Sequence, residues 1–384
     1  MPGSSRIAAS HITEDTRSGR ALLVAPLLTE PRSAGEAALA ELALLCTSAG
    51  LQPVISHVVR VRQINPATYI NSGQLADVLT LAEEHDARVI VFDRELSPVH
   101  MRNIARRSHL EVYDRHAVIL EIFFKRATSK AAKLQVELAR ARYAQSHLVG
   151  MWQHLDRQSG SSNLARGEGE TQIELDRRQL AARVKRARHA LRRLGDHRTR
   201  SRNSRGEMAK VALVGYTNAG KSTLLNALAH NGKPVLARNA LFATLDPATR
   251  RVWLQDQQYA LVTDTIGFVD RLPPELVDAF DSTLEEIRNA DLAVVVVDGS
   301  DRRAAQQLRT VLEVLERIDA SGVPRMLVLN KSDRTNGALV PGIGVQDSFV
   351  GGELSISAYR GTGIGELRTR IAELVATKIE SQTH

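Results

Sequence analysis

Several things are scarce in this sequence, and each scarcity excludes something. Aromatic residues make up only 4% of 384, so the cores must rest on Leu, Val, Ile and Ala. Cysteine occurs once, at Cys46, which rules out an intrachain disulfide and fits a reducing compartment. Cys46 sits beside Leu42, Leu44 and Leu45 in an apolar helical stretch, where a small buried filler is the expected role. No run of 18 apolar residues occurs, so no helix is expected to span a membrane. The stretch Met1–Arg20 lacks the apolar core of a signal peptide, and Glu14 and Asp15 argue against an organellar transit peptide. The expectation is a disordered lead over residues 1–19 and a cytoplasmic protein.

What is present suffices for two or three domains. Hydrophobic residues account for 43% and the net charge is +8, an excess whose distribution matters more than its size. Over residues 20–125 short apolar runs alternate with helical patterns. Ala21–Ala25, Val54–Val61 and Val89–Phe92 read as strands, and Gly35–Ala49 and Leu75–His85 as helices. Alternation of this kind predicts an N-terminal α/β domain with a parallel sheet.

Residues 126–205 show no convincing strand. Leu134, Leu138, Ala141 and Leu148, then Leu180, Val184, Ala187, Leu191 and Leu194, repeat at heptad-like steps. The Gly- and Ser-rich stretch Gly150–Gly169 lies between them. The pattern predicts an antiparallel helical hairpin with a long connecting loop, of a length usually functional or disordered.

Acidic residues are almost missing from the second helix and its exit. Arg183, Lys185, Arg186, Arg188, Arg192, Arg193, Arg198, Arg200, Arg202 and Arg205 meet only Asp196. Most charge runs are solvated faces, but one so one-sided repels itself, and an anionic partner accounts for it better. Arg predominates, and its fork suits phosphate oxygens. Nucleic acid or a nucleoprotein is the expected partner. Without interleaved aromatics, contact would be through shape and phosphate rather than base stacking.

Residues 206–384 read as a doubly wound α/β domain. Strands are expected at Lys210–Gly215, Arg251–Leu254, Tyr259–Asp264, Leu292–Asp298, Arg325–Asn330 and Glu353–Ser357. Helices are expected at Lys221–Ala229, Ala304–Ile318 and Ile364–Thr377. The chemistry begins at Gly215-Tyr216-Thr217-Asn218-Ala219-Gly220-Lys221-Ser222-Thr223, which fits GxxxxGK[ST] between a strand and a helix, the context that supports a P-loop. Its backbone N–H groups would wrap phosphates at a helix N-terminus. Lys221 would reach the β- and γ-phosphates, and Ser222 would ligate Mg²⁺.

Asp264-Thr-Ile-Gly267 ends a strand about forty residues later. Asp264 can hold Mg²⁺ directly or through water, and the Gly267 N–H can approach the γ-phosphate. Asn330-Lys331-Ser332-Asp333 ends another strand. Its carboxylate can accept hydrogen bonds from guanine N1 and the exocyclic amine, a pairing adenine does not offer. Ser357 and Ala358 would close over the base. Four elements in this order point to binding and hydrolysis of GTP.

These elements resemble the translation-factor-related class of GTPases, in particular the HflX family. Leu241-Phe-Ala-Thr-Leu-Asp-Pro-Ala-Thr-Arg250 is similar to that family's switch I, and the order Asp264-Thr-Ile-Gly-Phe268 is similar to another signature of the family. The same holds for Gly167-Glu-Gly-Glu-Thr-Gln-Ile-Glu-Leu-Asp-Arg-Arg178, Asn65-Pro-Ala-Thr-Tyr-Ile70, Phe92-Asp-Arg-Glu-Leu-Ser-Pro98 and Lys133-Leu-Gln-Val-Glu-Leu138. The likeness runs from about Leu22 to Thr377. It implies a GTPase that binds the large ribosomal subunit and separates stalled or idle ribosomes. Thr244 would ligate Mg²⁺ and sense the γ-phosphate. Arg166, Arg177, Arg178, Arg183, Lys185, Arg186, Arg188, Arg192 and Arg193 would face ribosomal RNA. A monomer is expected.

The chain departs from the family pattern in three places. Leu164-Ala-Arg-Gly-Glu-Gly-Glu170 has Glu168 where a Pro is common. Ser129-Lys130-Ala131 stands where an acidic residue is frequent, and Asn71 and Gln74 where Gly and Lys are. Phe268 occupies the position of the Gln that orients water in many GTPases, so hydrolysis should be slow without a partner. Asn218 resembles the P-loop Asn of potassium-stimulated GTPases, which helps hold K⁺ near the phosphates; a turn-forming Asn is the alternative. Two further functions stay open: a large-subunit assembly factor, and a regulatory module acting on a protein partner such as a membrane protease. ATP use by the N-terminal zone would need a site other than a second P-loop, which that zone lacks.

Overall fold

The computed structural model describes residues 19–158, 166–203, 208–229, 242, 245–255, 258–335 and 349–382. Its first sheet holds β1 (Arg20–Leu27), β2 (Gln52–Arg60), β3 (Val89–Phe92) and β4 (Glu111–Asp114). They lie in the order β2-β1-β3-β4, all parallel. β1 and β3 are buried almost throughout, which explains their continuous apolar runs. Helices α1 (Arg32–Ala49), α2 (Ser72–Glu84), α3 (Pro98–Ser108) and α4 (Arg115–Arg126) complete the α/β pattern. β4, α3 and α4 go beyond the sequence expectation. β4 is four residues long, three of them polar or aromatic, and α4 is buried over most of its surface, so it shows no clean polar stripe.

The N-terminus of α2 accounts for one departure from the family pattern. Asn71 Oδ1 accepts the Gln74 N–H at 2.8 Å, and Gln74 Oε1 accepts the Asn71 N–H at 3.1 Å. The two side chains close a capping box. Deeper inside, Arg115 donates from Nη1 to Asp93 Oδ1 at 2.7 Å and pairs through Nη2 with Glu41, all three buried. Cys46 is fully buried, and burial pushes its thiol pKa up.

The hairpin zone departs from expectation at its connection. α5 runs Lys130–Gln158 and α6 runs Arg166–Asn203, so both helices enter the stretch expected as a loop. Gly150 alone costs a helix only about 1 kcal/mol, and elongating a formed helix is easy. Leu138, Ala141, Leu180, Val184 and Ala187 are buried, and Leu134, Leu191 and Leu194 half-buried. Leu148 has no described side-chain position.

The second sheet has the order β10-β9-β8-β5-β7-β6. Its strands are β5 (Ala209–Gly215), β6 (Ala248–Trp253), β7 (Tyr259–Asp264), β8 (Leu292–Asp298), β9 (Arg325–Asn330) and β10 (Glu353–Ser355). All pairs are parallel except β6 with β7. β6 starts three residues before the expected Arg251, because Thr249 pairs across the ladder with Thr263, hydroxyl to hydroxyl at 3.0 Å. Helices are α7 (Lys221–Leu228), α8 (Pro274–Ala279), α9 (Asp281–Arg288), α10 (Ala304–Arg317) and α11 (Ile364–Gln382). α8 and α9 are six and eight residues long, too short for helical periodicity to show. Val211, Leu213, Val294, Val296 and Val328 form the core of this sheet.

The chain divides into two compact units. One comprises residues 1–126 with 133–191, the other 127–132 with 192–384. Among the described residues no helix is long and apolar enough to cross a membrane.

Candidate active site

The site lies at the carboxyl ends of β5, β7 and β9, where open α/β sheets bind ligands. β5 ends at Gly215, and α7 starts at Lys221. Between them Asn218 and Gly220 take left-handed backbone angles, φ 62° and 95°. A side chain at Gly220 would place its Cβ 2.3 Å from Asn330 Nδ2, and one at Gly267 would come 2.8 Å from Thr217 Cα. The two glycines thus bring three loops together.

Lys221 is buried, and its ammonium donates to the carbonyls of Gly215 and Tyr216 at 3.0 and 2.9 Å. Burial lowers its pKa to about 8, against the opposing pull of the Asp264 carboxylate. The first α7 hydroxyl after it, Ser222 Oγ, donates to Asp264 Oδ2 at 2.6 Å. Thr223 follows, half-buried. Among the described residues no group of three or more His, Cys, Asp or Glu gathers as a metal cage. Ser222 and Asp264 offer two hard oxygens instead. Such a partial set suits Mg²⁺, which prefers one or two protein oxygens plus phosphates and water.

Phe268 is buried, so its ring faces the core. Its N–H donates to Gly215 O at 3.1 Å, and its carbonyl accepts the Thr217 N–H at 2.7 Å. This zips the segment after Gly267 to the P-loop. Tyr216 adds a third tie by accepting the Asp270 N–H on its hydroxyl at 2.8 Å. No side chain at position 268 is placed to orient a water.

The base-side residues are linked as tightly. Asn330 Nδ2 donates to Ala219 O, and Asn330 Oδ1 accepts the Ala358 N–H, both at 2.9 Å. Ser357 Oγ donates to Asp333 Oδ1 at 2.6 Å, which holds the Asp333 pKa below the usual carboxylate range. Lys331, left-handed at φ 66°, pairs its ammonium with Asp298 at 2.7 Å. Asp333 is therefore fixed and ionised with one oxygen engaged.

The structure brings together Gly215 through Thr223, Asp264, Gly267, Asn330, Lys331, Asp333, Ser357 and Ala358. Thr244 lies outside the described residues. Sequence reasoning gave Asp246, Thr128 and Ser129 no contact with one another. Asp246 accepts from Thr128 Oγ1 at 2.7 Å, from Ser129 N at 3.0 Å and from Ser129 Oγ. Two hydroxyl residues just before a heptad-patterned helix are an N-cap signal that could have drawn attention to them.

Apart from the nucleotide loops, Arg183, Lys185, Arg186, Arg188, Arg192 and Arg193 are exposed on α6, around the arc left by Leu180, Val184 and Ala187. Arg177 and Arg178 are exposed too and pair with Glu174. Arg166 lies in the first turn of α6.

Known proteins match nearly the whole chain. Three family descriptions fit in succession: GTP-binding GTPase N-terminal over residues 36–124, GTP-binding GTPase Middle Region over 126–205, and 50S ribosome-binding GTPase over 210–331. A GTPase HflX of Magnetococcus marinus is 39% identical over 361 residues, 93% of this chain and 82% of the relative. A GTPase HflX of Escherichia coli is 38% identical over 347 residues, 90% and 80% of the two chains. The solved complex of SsGBP and GDP is similar at 24% identity and a TM-score of 0.49, covering 93% of this chain and 98% of that one. On the strength of the curated relatives, the chain belongs to the HflX family of P-loop GTPases, enzymes that hydrolyse GTP.

Proposed function

We propose that this GTPase acts on the large ribosomal subunit, separating or rescuing stalled or idle ribosomes, with GTP hydrolysis as its release step. The observation that carries the ribosomal reading is the run of exposed cations Arg183, Lys185, Arg186, Arg188, Arg192 and Arg193 on α6, whose charge suits a phosphate backbone. The description 50S ribosome-binding GTPase, matched over residues 210–331, supports the same partner. In this reading Arg166, Arg177, Arg178, Arg183, Lys185, Arg186, Arg188, Arg192 and Arg193 face ribosomal RNA. The working division is 1–19, 20–125, 126–205 and 206–384, and the protein acts in the cytoplasm as a monomer.

The geometry of the described loops supports these nucleotide roles, and the resemblance supplies that of Thr244. Gly215–Thr223 cradles the phosphates, Lys221 neutralises their charge, and the Gly267 N–H turns to the γ-phosphate. Asp333 accepts from guanine, with Lys331, Ser357 and Ala358 around the base. Ser222 and Asp264, with Thr244 by resemblance, would hold Mg²⁺, which when bound would spread the charge that develops on the transferred phosphoryl group. Because Phe268 is buried, the attacking water is oriented by another group, by backbone or by the partner. Slow intrinsic hydrolysis and strong stimulation on the ribosome follow. Asn218 is the residue for a K⁺ effect. Its left-handed backbone also suits a purely turn-forming role, and equal rates in K⁺ and Na⁺ buffers would favour that alternative.

The test is the GTP hydrolysis rate with and without purified 50S and 70S particles in K⁺ buffer. Stimulation of tenfold or more that falls with salt is expected. No stimulation, with intact GTP binding, would shift the function to particle assembly or to a protein partner.

A further inference from the structure

We infer that Asp298 is a positioning residue for the base site: it holds the Lys331 ammonium, so that the methylene stem of the lysine, and not its charge, is presented to the purine. This role rests on the reading of Asp333 as the base acceptor and adds to it a residue outside the loops assigned above.

The two residues stand at the ends of neighbouring strands. β8 and β9 pair in parallel with Asp298 opposite Asn330, and the Gly299 N–H donates to Asn330 O at 2.9 Å. The strand ends are therefore fixed to each other. Lys331 then takes left-handed backbone, φ 66°, a conformation that costs a residue with a Cβ. The next N–H, that of Ser332, donates to Ile356 O at 3.0 Å. From this turn the Lys331 ammonium reaches Asp298 Oδ2 at 2.7 Å. The other carboxylate oxygen, Oδ1, accepts the Ser300 N–H at 3.0 Å and the Ser300 hydroxyl at 2.5 Å. Asp298 is thus engaged through both oxygens. The Lys331 and Asp298 side chains are only 15% and 16% exposed, so solvent ions screen the pair little.

The tether matters because of where the stem runs. β8 lies between β9 and the P-loop strand β5. A stem stretched from the end of β9 to the end of β8 crosses the carboxyl edge of the sheet, where open α/β sheets bind ligands. It starts between Asn330, whose amide holds Ala219 and Ala358, and Asp333, the proposed acceptor for the base edge. With the charge kept at Asp298, the methylenes offer an apolar surface to the flat face of a purine. An untethered lysine has much rotamer freedom to lose when a ligand packs on it, whereas a stem already held loses little. The contact is with the face of the base, not with the edge that Asp333 would read. Asp298 should therefore raise affinity for any purine nucleotide that enters the slot, without changing discrimination at the edge and without touching the grip on phosphate.

The test uses the full-length protein with Mg²⁺ present. Affinities for GDP, inosine diphosphate and inorganic pyrophosphate are measured in wild type, D298A, K331A and the double variant. D298A should bind GDP and inosine diphosphate each about tenfold more weakly, the scale of the rotamer freedom that one lysine regains. The ratio of the two, and the affinity for pyrophosphate, should stay within about twofold of wild type. On the K331A background, D298A should add less than about twofold, because the group it holds is gone. Unchanged GDP affinity in D298A, equal weakening of pyrophosphate, or a full tenfold loss on the K331A background would each overturn the inference. Should D298A fold poorly, D298N keeps an oxygen for Ser300 and turns an amide toward the ammonium. It must weaken GDP while sparing pyrophosphate, or the tether fails. Wild type that binds GDP no better than ADP would refute the base site itself. With that preference intact, a null result in D298A refutes the tether alone.

Discussion

Ser222 Oγ lies 2.6 Å from Asp264 Oδ2, so the first turn of α7 is tied to the carboxylate that ends β7. The pair supplies two hard oxygens to one point. Ser222→Ala should leave GDP affinity in EDTA within about twofold. The tightening that Mg²⁺ brings should fall by about tenfold, as expected for losing one polar contact to a charged group worth roughly 1.5 kcal/mol. Titration with and without Mg²⁺ measures it.

In the proposed site base choice would rest on Asp333, held by Ser357. Asp333→Asn replaces an acceptor with a donor toward the base. GTP should bind at least about a hundredfold more weakly, the loss of two hydrogen bonds to a charged group. Xanthosine triphosphate, whose 2-oxo group accepts, should bind better than to wild type. Competition between the two nucleotides reads both changes.

Lys221 gives a pH signature. Its free-protein pKa is lowered to about 8 by burial, and phosphate must raise it by favouring the charged form. Nucleotide binding near pH 8 should take up a proton, and affinity should fall as pH rises through 8. Calorimetry in two buffers of different ionisation enthalpy measures the uptake. For folding, the sign is opposite to that of a lysine with a raised pKa. The penalty of holding a buried charge is fully present below 8 and is relieved between 8 and the ordinary lysine value near 10.5.

Arg115 sits between Glu41 and Asp93 with almost no solvent access. Removing it leaves two buried carboxylates facing each other. Arg115→Ala should cost about 3–5 kcal/mol of stability, seen in urea unfolding, while nucleotide affinity per folded molecule stays unchanged.

How much of this was legible beforehand depends on the kind of signal. β5, β8 and β9 were readable because central parallel strands are apolar on both faces, and Lys221 and Asp333 because their loops carry fixed spacings after such strands. The capping of α2 by Asn71 and Gln74 looked like a mere loss of family residues, since a cap depends on backbone direction that spacing does not reveal. The continuation of α5 to Gln158 was hidden by the Gly and Ser content of the stretch after it. The ties from Asp246 to Thr128 and Ser129 join positions more than a hundred residues apart, and one sequence holds no signal for such a pairing. The fate of Phe268 was half legible: its chemistry excluded a water-orienting role, but only the structure shows the ring turned inward.

Gly220 leaves no room for a side chain because the Asn330 amide occupies that space. The loop proposed to grip phosphate and the loop proposed to read the base therefore share one wall. Any residue larger than glycine at 220 would push out the amide that holds Ala219 and Ala358. Phosphate grip and base choice would then fail together, so the site offers evolution no gradual route to a different nucleotide through its P-loop alone.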